Sequence, residues 1–179
     1  MKKVIHKFFW MWQFDKEEQW LNEMAAKGLA LTSVGFGRYE FEDCAPGEYK
    51  ICMEMLENAS GSPGNEKYVR FVEETGAQHV GQFARWAYFR KKTADGDFSL
   101  FSDNASRIKY LNRIIQLIAI LGGINLYIGI YNLLLYFSWH NVVSLLGFVN
   151  LLIAVLATIG LLSILKKRKK LKEEQQIFE

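Results

Sequence analysis

Two charge-free apolar stretches decide the architecture of this chain: residues 114–137, IIQLIAILGGINLYIGIYNLLLYF, and residues 142–165, VVSLLGFVNLLIAVLATIGLLSIL. Each stretch is 24 residues long. At about 1.5 Å of rise per residue, a helix of that length covers roughly 36 Å, whereas the hydrocarbon core of a bilayer is about 30 Å thick. We therefore predict two transmembrane helices joined by a short turn at residues 138–141.

The basic residues that flank the two stretches predict their orientation. Arg107, Lys109 and Arg113 precede the first stretch. Six basic residues follow the second one: Lys166, Lys167, Arg168, Lys169, Lys170 and Lys172. Because Lys and Arg are enriched in cytoplasmic segments, we expect both termini in the cytoplasm and the turn outside. The tail, residues 166–179, fixes this topology and can also bind anionic lipid.

Small and amide side chains recur on one face of each apolar stretch. The two stripes, at spacings of three and four, are Gly122, Asn125, Gly129 and Asn132 on the first stretch, and Gly147, Asn150, Ala154 and Ala157 on the second. Small residues let helices approach closely, and an amide in lipid needs a hydrogen-bond partner. We predict that the stripes face each other. A polar pathway for an ion or solute is the alternative, but neither stretch contains a charged residue to line it.

Residues 1–113 are charged and rich in aromatic side chains, which is enough chain for one domain with its own core. Without the six basic residues of the tail the whole chain is slightly acidic. No nucleic-acid partner is therefore expected. Cys44 and Cys52 match no zinc-ligand pattern, and we predict two reduced thiols.

Strand and helix signals divide residues 1–101 into six elements. The predicted strands are residues 1–12, 29–42, 49–56 and 80–90, with a possible short addition at 98–101. The second and third form a hairpin around Pro46. Asp15 and Gly28 delimit the first helix, and Ser62 and Gly76 the second. This order predicts an α+β fold, a ferredoxin-like βαββαβ sandwich with both helices on one face of an antiparallel sheet.

No Gly or Pro interrupts residues 102–121. We therefore predict a juxtamembrane helix over residues 102–113 that continues into the first span. Such a junction is stiff, whereas a Gly/Ser linker would only tether the domain.

Several short blocks of this sequence resemble the bacterial family catalogued as domain of unknown function 2812. These blocks are residues 8–10 (FFW), 20–28 (WLNEMAAKG), 37–41 (GRYEF), 46–49 (PGEY), 73–76 (EETG), 85–91 (RWAYFRK) and 101–103 (FSD). The resemblance covers about residues 1–113. It implies a membrane-anchored protein of Gram-positive bacteria, encoded beside repressors of the PadR type, and hence regulation or an envelope response. It implies no activity and no catalytic residue.

The sequence contains no recognisable catalytic, cofactor-binding or metal-binding motif. His6, His79 and His140 are scattered along the chain. Gly35-Phe36-Gly37 lies inside a predicted strand and indicates a bulge rather than a phosphate-binding loop. We therefore expect a protein that is not an enzyme and that binds no cofactor or metal.

A candidate interaction surface lies on the last predicted strand. Its residues are Arg85, Trp86, Tyr88 and Arg90, and these residue types dominate binding hot spots. The alternative is that the two aromatic side chains lie in the core while the arginines face water.

The function expected from these features is that of a membrane-anchored cytoplasmic module, either sensory or partner-binding, with a regulatory or envelope-stress role. It would lie in the bacterial plasma membrane, contact the lipid bilayer, and bind a protein partner or a second copy of itself. A structural accessory subunit of a transporter or envelope complex is one alternative. An enzyme of an unrecognised class is another.

Overall fold

The computed structural model describes residues 2–58, 61–101, 103–139 and 145–177. The chain divides into two compact units, Met1–Ser102 and Asp103–Glu179. Strands and helices make up the first unit, and two long apolar helices make up the second. The predicted α+β class followed by two long apolar helices is therefore confirmed.

The first unit is built from strands and helices in alternation. In chain order the elements are β1 (Lys2–His6), α1 (Phe14–Ala26), β2 (Leu29–Gly35), β3 (Arg38–Asp43), β4 (Tyr49–Met55), α2 (Pro63–Glu74), β5 (Gln78–Phe83) and β6 (Trp86–Lys92). Short 3₁₀ turns occupy Met11–Gln13 and Thr93–Asp95. Both predicted helices are present. The hydroxyl of Ser62 accepts from the amide of Asn65, which caps α2 as expected.

The strands form two three-stranded antiparallel sheets with the same topology. The first has the order β1-β3-β2 and the second has the order β4-β6-β5. Because β1 and β2 both run antiparallel to β3, they are parallel to each other and need a crossover, which α1 supplies. The same holds for β4, β5 and α2. The unit is therefore a tandem repeat of one βαββ motif.

The sequences at the two hairpin turns support this repeat. Phe36-Gly37-Arg38-Tyr39 at the β2–β3 turn matches Phe83-Ala84-Arg85-Trp86 at the β5–β6 turn. The second residue of each block has a positive φ, 59° at Gly37 and 51° at Ala84. An alanine rarely adopts this left-handed conformation. The turns differ in register, because Gly37 is the second residue of its two-residue loop and Ala84 is the first residue of the other.

The two sheets meet along β2 and β5. The rings of Phe36 and Phe83 lie 5.7 Å apart at their centroids. A Cβ placed on Gly81 of β5 would lie 3.3 Å from the Val34 side chain of β2, so the absence of a side chain there permits the close approach.

The strand pairing differs from the predicted ferredoxin-like arrangement. Residues 29–42 and 80–90, each predicted as one strand, are mostly the hairpins β2–β3 and β5–β6. The predicted hairpin around Pro46 is absent among the described residues, since β3 and β4 belong to different sheets. Phe36-Gly37 forms a turn rather than a bulge. Residues 98–101 carry no strand, but Phe98 and Leu100 pack on the core.

The second unit is a pair of helices, α3 (Asn104–Trp139) and α4 (Leu146–Ile177). Asp103 caps α3, because its Oδ1 accepts from the amide of Ser106 at 2.6 Å. Residues 104–113 and the first apolar stretch are therefore one helix. α4 continues through the basic residues, so most of the predicted tail is helical. Residues 140–144, which include part of the predicted turn and the start of the second stretch, lie outside the described residues.

Candidate functional site

The candidate interaction surface is not an exposed surface in the structure. Trp86 and Tyr88 lie on β6, the central strand of the second sheet, and are only 9% and 4% exposed. Their burial contradicts the surface hypothesis and favours the alternative that both rings lie in the core.

Arg85 binds the end of the neighbouring strand β4. Its Nε and Nη2 donate to the carbonyl of Leu56 at 2.9 and 2.7 Å, and Nη2 also donates to the carbonyl of Glu57. This guanidinium therefore satisfies backbone acceptors where β4 ends, a structural role.

Arg90 links strands of both sheets. Its Nη1 donates to the Leu31 carbonyl at 3.0 Å and to the Glu42 carboxylate at 2.9 Å. Its Nε donates to Gln78 at 3.0 Å, and its guanidinium lies 4.7 Å from the centre of the Tyr49 ring. Arg90 thereby joins the two repeats at one edge of their junction.

A cluster of three buried polar side chains joins the repeats in the interior. Glu17 on α1 accepts two hydrogen bonds at Oε1, from Tyr39 Oη at 2.7 Å and from Tyr88 Oη at 2.6 Å. Glu17 is 9% exposed, and both tyrosines are buried. Tyr39 belongs to the first repeat and Tyr88 to the second. The Glu17 carboxylate is therefore a direct link between the two repeats.

The electrostatic environment of Glu17 disfavours its charged form. Burial raises the pKa of Glu17 above its ordinary value, and the hydrogen bonds from Tyr88 and Tyr39 oppose this only in part. Burial and the nearby carboxylate also raise the pKa of Tyr39, which keeps its hydroxyl a neutral donor. Among the described residues, no Lys, Arg or His forms an ion pair with Glu17. A buried carboxylate without a cationic partner is unusual in proteins.

Aromatic rings lie on both sides of this carboxylate. Phe14, three residues before Glu17 on the same helix face, stacks on Trp86 with a centroid distance of 5.7 Å. Trp20, three residues after Glu17, contacts the edge of Tyr39 at 5.0 Å. The site therefore combines an acidic group with aromatic surfaces, the two features that attract organic cations.

The second repeat has a neutral residue at the corresponding position. Glu17 and Asn65 each lie eleven residues before the glycine that follows the helix, Gly28 or Gly76. Asn65 is also buried, but its amide is satisfied locally, since it exchanges two hydrogen bonds with the backbone of Asn58. The buried charge thus occurs only in the first of these two matched positions.

Glu17 was missed in the sequence because a lone glutamate in a helix is usually solvated. The available signal was its spacing. Phe14, Leu21 and Met24 are buried on the same face of α1 as Glu17, so the glutamate interrupts an apolar face.

A comparison with protein-family profiles matches the part of the chain that contains this site. A profile described as "Protein of unknown function (DUF2812)" matches residues 13–122. The chain belongs to this family. The DUF2812 match includes Glu17, Tyr39 and Tyr88 and extends into α3, whereas the FFW block at residues 8–10 lies outside it. No curated protein and no solved structure matches the chain.

The residues that the structure describes include no group of three or more His, Cys, Asp or Glu that could hold a metal ion. Cys44 and Cys52 are free thiols, and Cys52 is buried.

The predicted small-residue stripes of α3 and α4 lie close together. A Cβ on Gly122 would come within 2.9 Å of the Ala157 Cβ, and a Cβ on Gly147 within 2.9 Å of the Asn132 Cβ. A Cβ on Gly129 would meet Leu151 at 2.7 Å. Ala154 is buried. Backbone contact between the helices therefore depends on these small residues.

The asparagine amides of the hairpin bond within their own helices. Each Nδ2 donates to the carbonyl four residues earlier: Asn125 to Leu121, Asn132 to Ile128, and Asn150 to Leu146. The three amides therefore bond locally, and none of them bonds across the hairpin to a residue that the structure describes.

The basic cluster after residue 165 is paired in part. Lys169 and Lys170 lie 3.7 and 3.8 Å from Glu173 and Glu174, one helical turn later. Arg168 donates to the side chain of Asn112 on α3 at 3.0 Å. Lys166, Lys167 and Lys172 belong to the same helix.

Proposed function

We propose that this chain is a membrane-anchored sensory module whose tandem βαββ unit binds a cationic organic ligand at Glu17. The observation that carries the proposal is the buried Glu17 carboxylate, which accepts from Tyr39 and Tyr88 and has no cationic partner among the described residues. A ligand that brings its own positive charge would supply the missing partner.

Two features of the site support a cation over other ligands. Both tyrosine hydroxyls donate to Oε1 of Glu17, whereas Oε2 makes no hydrogen bond with any described residue. The aromatic rings near Glu17 are of the kind that attracts ammonium groups. The Trp20 ring already lies 4.6 Å from the Lys7 ammonium, measured to the ring centre. An anionic ligand would be repelled by the ionised carboxylate, and a neutral ligand could only donate a hydrogen bond to it without supplying the missing charge.

The position of Glu17 between the repeats supports a sensory role. A ligand at Oε2 would neutralise the buried charge and strengthen the ionised form that both tyrosines hold. Because those tyrosines come from different repeats, the free energy of binding would act on the contact between them. We propose that this unit faces the cytoplasm of a bacterial cell, that α3 and α4 anchor it, and that a protein partner reads its state.

The test is a thermal-stability titration of the full chain in detergent. The probes are benzyltrimethylammonium and its uncharged isostere neopentylbenzene. We expect the cation to raise the Tm of the α+β unit and the isostere to leave it unchanged, because only bound ligands stabilise the folded state.

Two variants make this test specific. Glu17→Gln removes the charge and should abolish the response to the cation. Glu23→Gln removes an exposed carboxylate from the same helix and should preserve that response. Equal Tm shifts in all three chains, or equal shifts with both probes, would refute the proposed ligand class.

A further inference from the structure

Five aromatic side chains form a continuous ridge on the first unit. We define the aromatic ridge as Phe8, Trp10, Trp12, Phe36 and Phe83. The rings of Trp12 and Trp10 are stacked at 5.2 Å, Trp10 contacts Phe8 at 5.2 Å, Phe8 contacts Phe36 at 6.0 Å, and Phe36 contacts Phe83 at 5.7 Å. Three separate segments of chain thus contribute to one apolar surface.

The aromatic ridge is exposed to solvent. Phe36 is 73% exposed, Phe8 55%, Trp10 42% and Phe83 36%. Single exposed apolar residues are common on soluble domains, but a contiguous aromatic surface marks an interaction site. Phe36 and Phe83 occupy the matching hairpin turns of the two repeats, so the repeat itself brings them together.

The segments that carry the aromatic ridge contain no acidic residue. Residues 2–14, 27–39 and 75–92 include no Asp and no Glu. They contain these basic residues: Lys2, Lys3, Lys7, Lys27, Arg38, Arg85, Arg90, Lys91 and Lys92. Arg38 and Arg90 pair with Glu40 and Glu42 of β3, but no described ion pair involves the lysines of these segments. Of these basic residues, Lys7, Arg38 and Arg85 lie at the end of the strands that carries the ridge. The others lie toward the opposite ends: Lys2, Lys3, Lys27, Arg90, Lys91 and Lys92.

We propose that the aromatic ridge docks on the anionic surface of the same bilayer that holds α3 and α4. Trp and other aromatic side chains favour the interface between water and hydrocarbon, and lysines near that interface are attracted to anionic headgroups. The inference is independent of the ligand proposed for Glu17.

Continuity of the chain supports the bilayer as the occupant. Only residues 104–113 of α3 precede the charge-free stretch. Ten helical residues cover about 15 Å, which is close to the radius of gyration of roughly 13 Å expected for a hundred-residue domain. Only a short helical segment therefore connects the first unit to the charge-free stretch.

A second copy of the chain is a less suitable occupant. Two ridges in contact would bring together two sets of carboxylate-free segments, and like charges at an interface oppose association. An anionic bilayer complements the same charges.

The experiment measures where a fluorophore at the ridge lies. The full chain with Cys44→Ser carries either Phe36→Cys or Phe71→Cys, labelled with a nitrobenzoxadiazole maleimide. Phe71 on α2 is 62% exposed and lies outside the ridge, so it is the matched control. Cys52 stays unlabelled, since it is buried and burial raises its pKa to about 12. Labelled chains are reconstituted in nanodiscs of phosphatidylcholine, with or without phosphatidylglycerol.

Two quenchers then distinguish lipid from water and protein. We expect a nitroxide on the shallow acyl chain to quench the label at position 36 and not at 71, more strongly when phosphatidylglycerol is present. Aqueous iodide should quench only the label at 71. If iodide quenches both labels alike, the proposal is wrong. Protection of position 36 from iodide without nitroxide quenching would also overturn it, because protein would then cover the ridge.

Discussion

The hydroxyl of Tyr88 donates a hydrogen bond of 2.6 Å to the carboxylate of Glu17, 71 residues earlier in the chain. This contact joins β6 of the second repeat to α1 of the first. The same oxygen of Glu17 also accepts from Tyr39. One carboxyl group thus accepts from both repeats, and its state of protonation affects this part of the junction between them.

Glu17→Gln is expected to change how stability depends on pH. The folded-state pKa of Glu17 lies above its ordinary value of 4.5, so the folded protein binds this proton more tightly than the unfolded chain does. The resulting stabilisation is fully present below about pH 4.5 and is lost as pH rises through the raised folded-state pKa. Thermal unfolding of the α+β unit, followed by near-ultraviolet circular dichroism over a pH series, measures this loss.

The glutamine variant should lack that pH-dependent loss, whereas Glu23→Gln should retain it, because Glu23 lies on the exposed face of the same helix and leaves the buried Glu17 carboxyl group in place. An identical pH profile for the parent chain and Glu17→Gln would show that Glu17 titrates normally in the folded state.

Tyr88→Phe is expected to destabilise the first unit by about 1–3 kcal/mol, since it removes a buried hydrogen bond to an acidic group. The variant should also raise the pKa of Glu17 further, because the Tyr88 hydrogen bond lowers it in the parent chain. The free energy of unfolding in denaturant measures the first effect.

Tyr49→Phe is the control for this substitution. The Tyr49 ring contacts Arg90, but its hydroxyl makes no hydrogen bond with the described residues. Its removal should change stability by less than about 0.5 kcal/mol. Equal losses for the two variants would mean that the Tyr88 hydroxyl contributes nothing specific.

Arg90→Ala is expected to destabilise folding by on the order of 2 kcal/mol, because three acceptors in different strands lose their donor. Arg70→Ala is the comparison: Arg70 is a 75% exposed side chain at 4.0 Å from Glu66, and such pairs contribute about 0–1 kcal/mol. The measurement compares the free energies of unfolding of the two variants with that of the parent chain. If Arg90→Ala leaves the free energy of unfolding unchanged, Arg90 has no structural role and the hypothesis of an interaction surface would again apply to it.

Disulfide crosslinking is expected to join positions 125 and 154 of the hairpin. The close pairs Gly122–Ala157 and Asn132–Gly147 set an antiparallel register between α3 and α4, and that register places residue 125 opposite residue 154. Cysteines at 125 and 150 would be displaced by four residues, about 6 Å along the axis, which exceeds the tolerance of a disulfide. Both cysteine pairs are introduced into a chain that also carries Cys44→Ser. Oxidation should crosslink the 125/154 pair more completely than the 125/150 pair. Gel mobility after cleavage of the chain between the helices measures the crosslinked fraction. Preferential crosslinking of 125/150 would contradict the register.

The parts of the fold that the sequence predicts are those with local signals. α2 begins at Ser62-Pro63, where the cap and the proline are adjacent in sequence. The two long helices follow from uninterrupted apolar composition. In each case the energetics depend on neighbours in the chain or on the solvent, so a single sequence is sufficient.

The parts that were missed depend on distant residues. The β5–β6 hairpin turns at Ala84-Arg85, which has none of the residue types that usually mark a turn, and its geometry is held in part by Arg85 binding the carbonyl of Leu56. Glu17 becomes a candidate site only because Tyr88 of the second repeat reaches it. The repeated Phe-(Gly/Ala)-Arg-aromatic block was the sequence signal for the tandem repeat, and therefore for the second hairpin and for the contact between Tyr88 and Glu17.

The mismatch between Glu17 and Asn65 has a consequence for how such a junction can arise. Two identical βαββ subunits related by a two-fold axis would carry every residue twice, so an acid at this position would appear in both halves. Joining both halves in one polypeptide frees each to mutate alone. The fused chain can therefore bury a carboxyl group in one half alone, an asymmetry that a homodimer of the half-unit cannot encode.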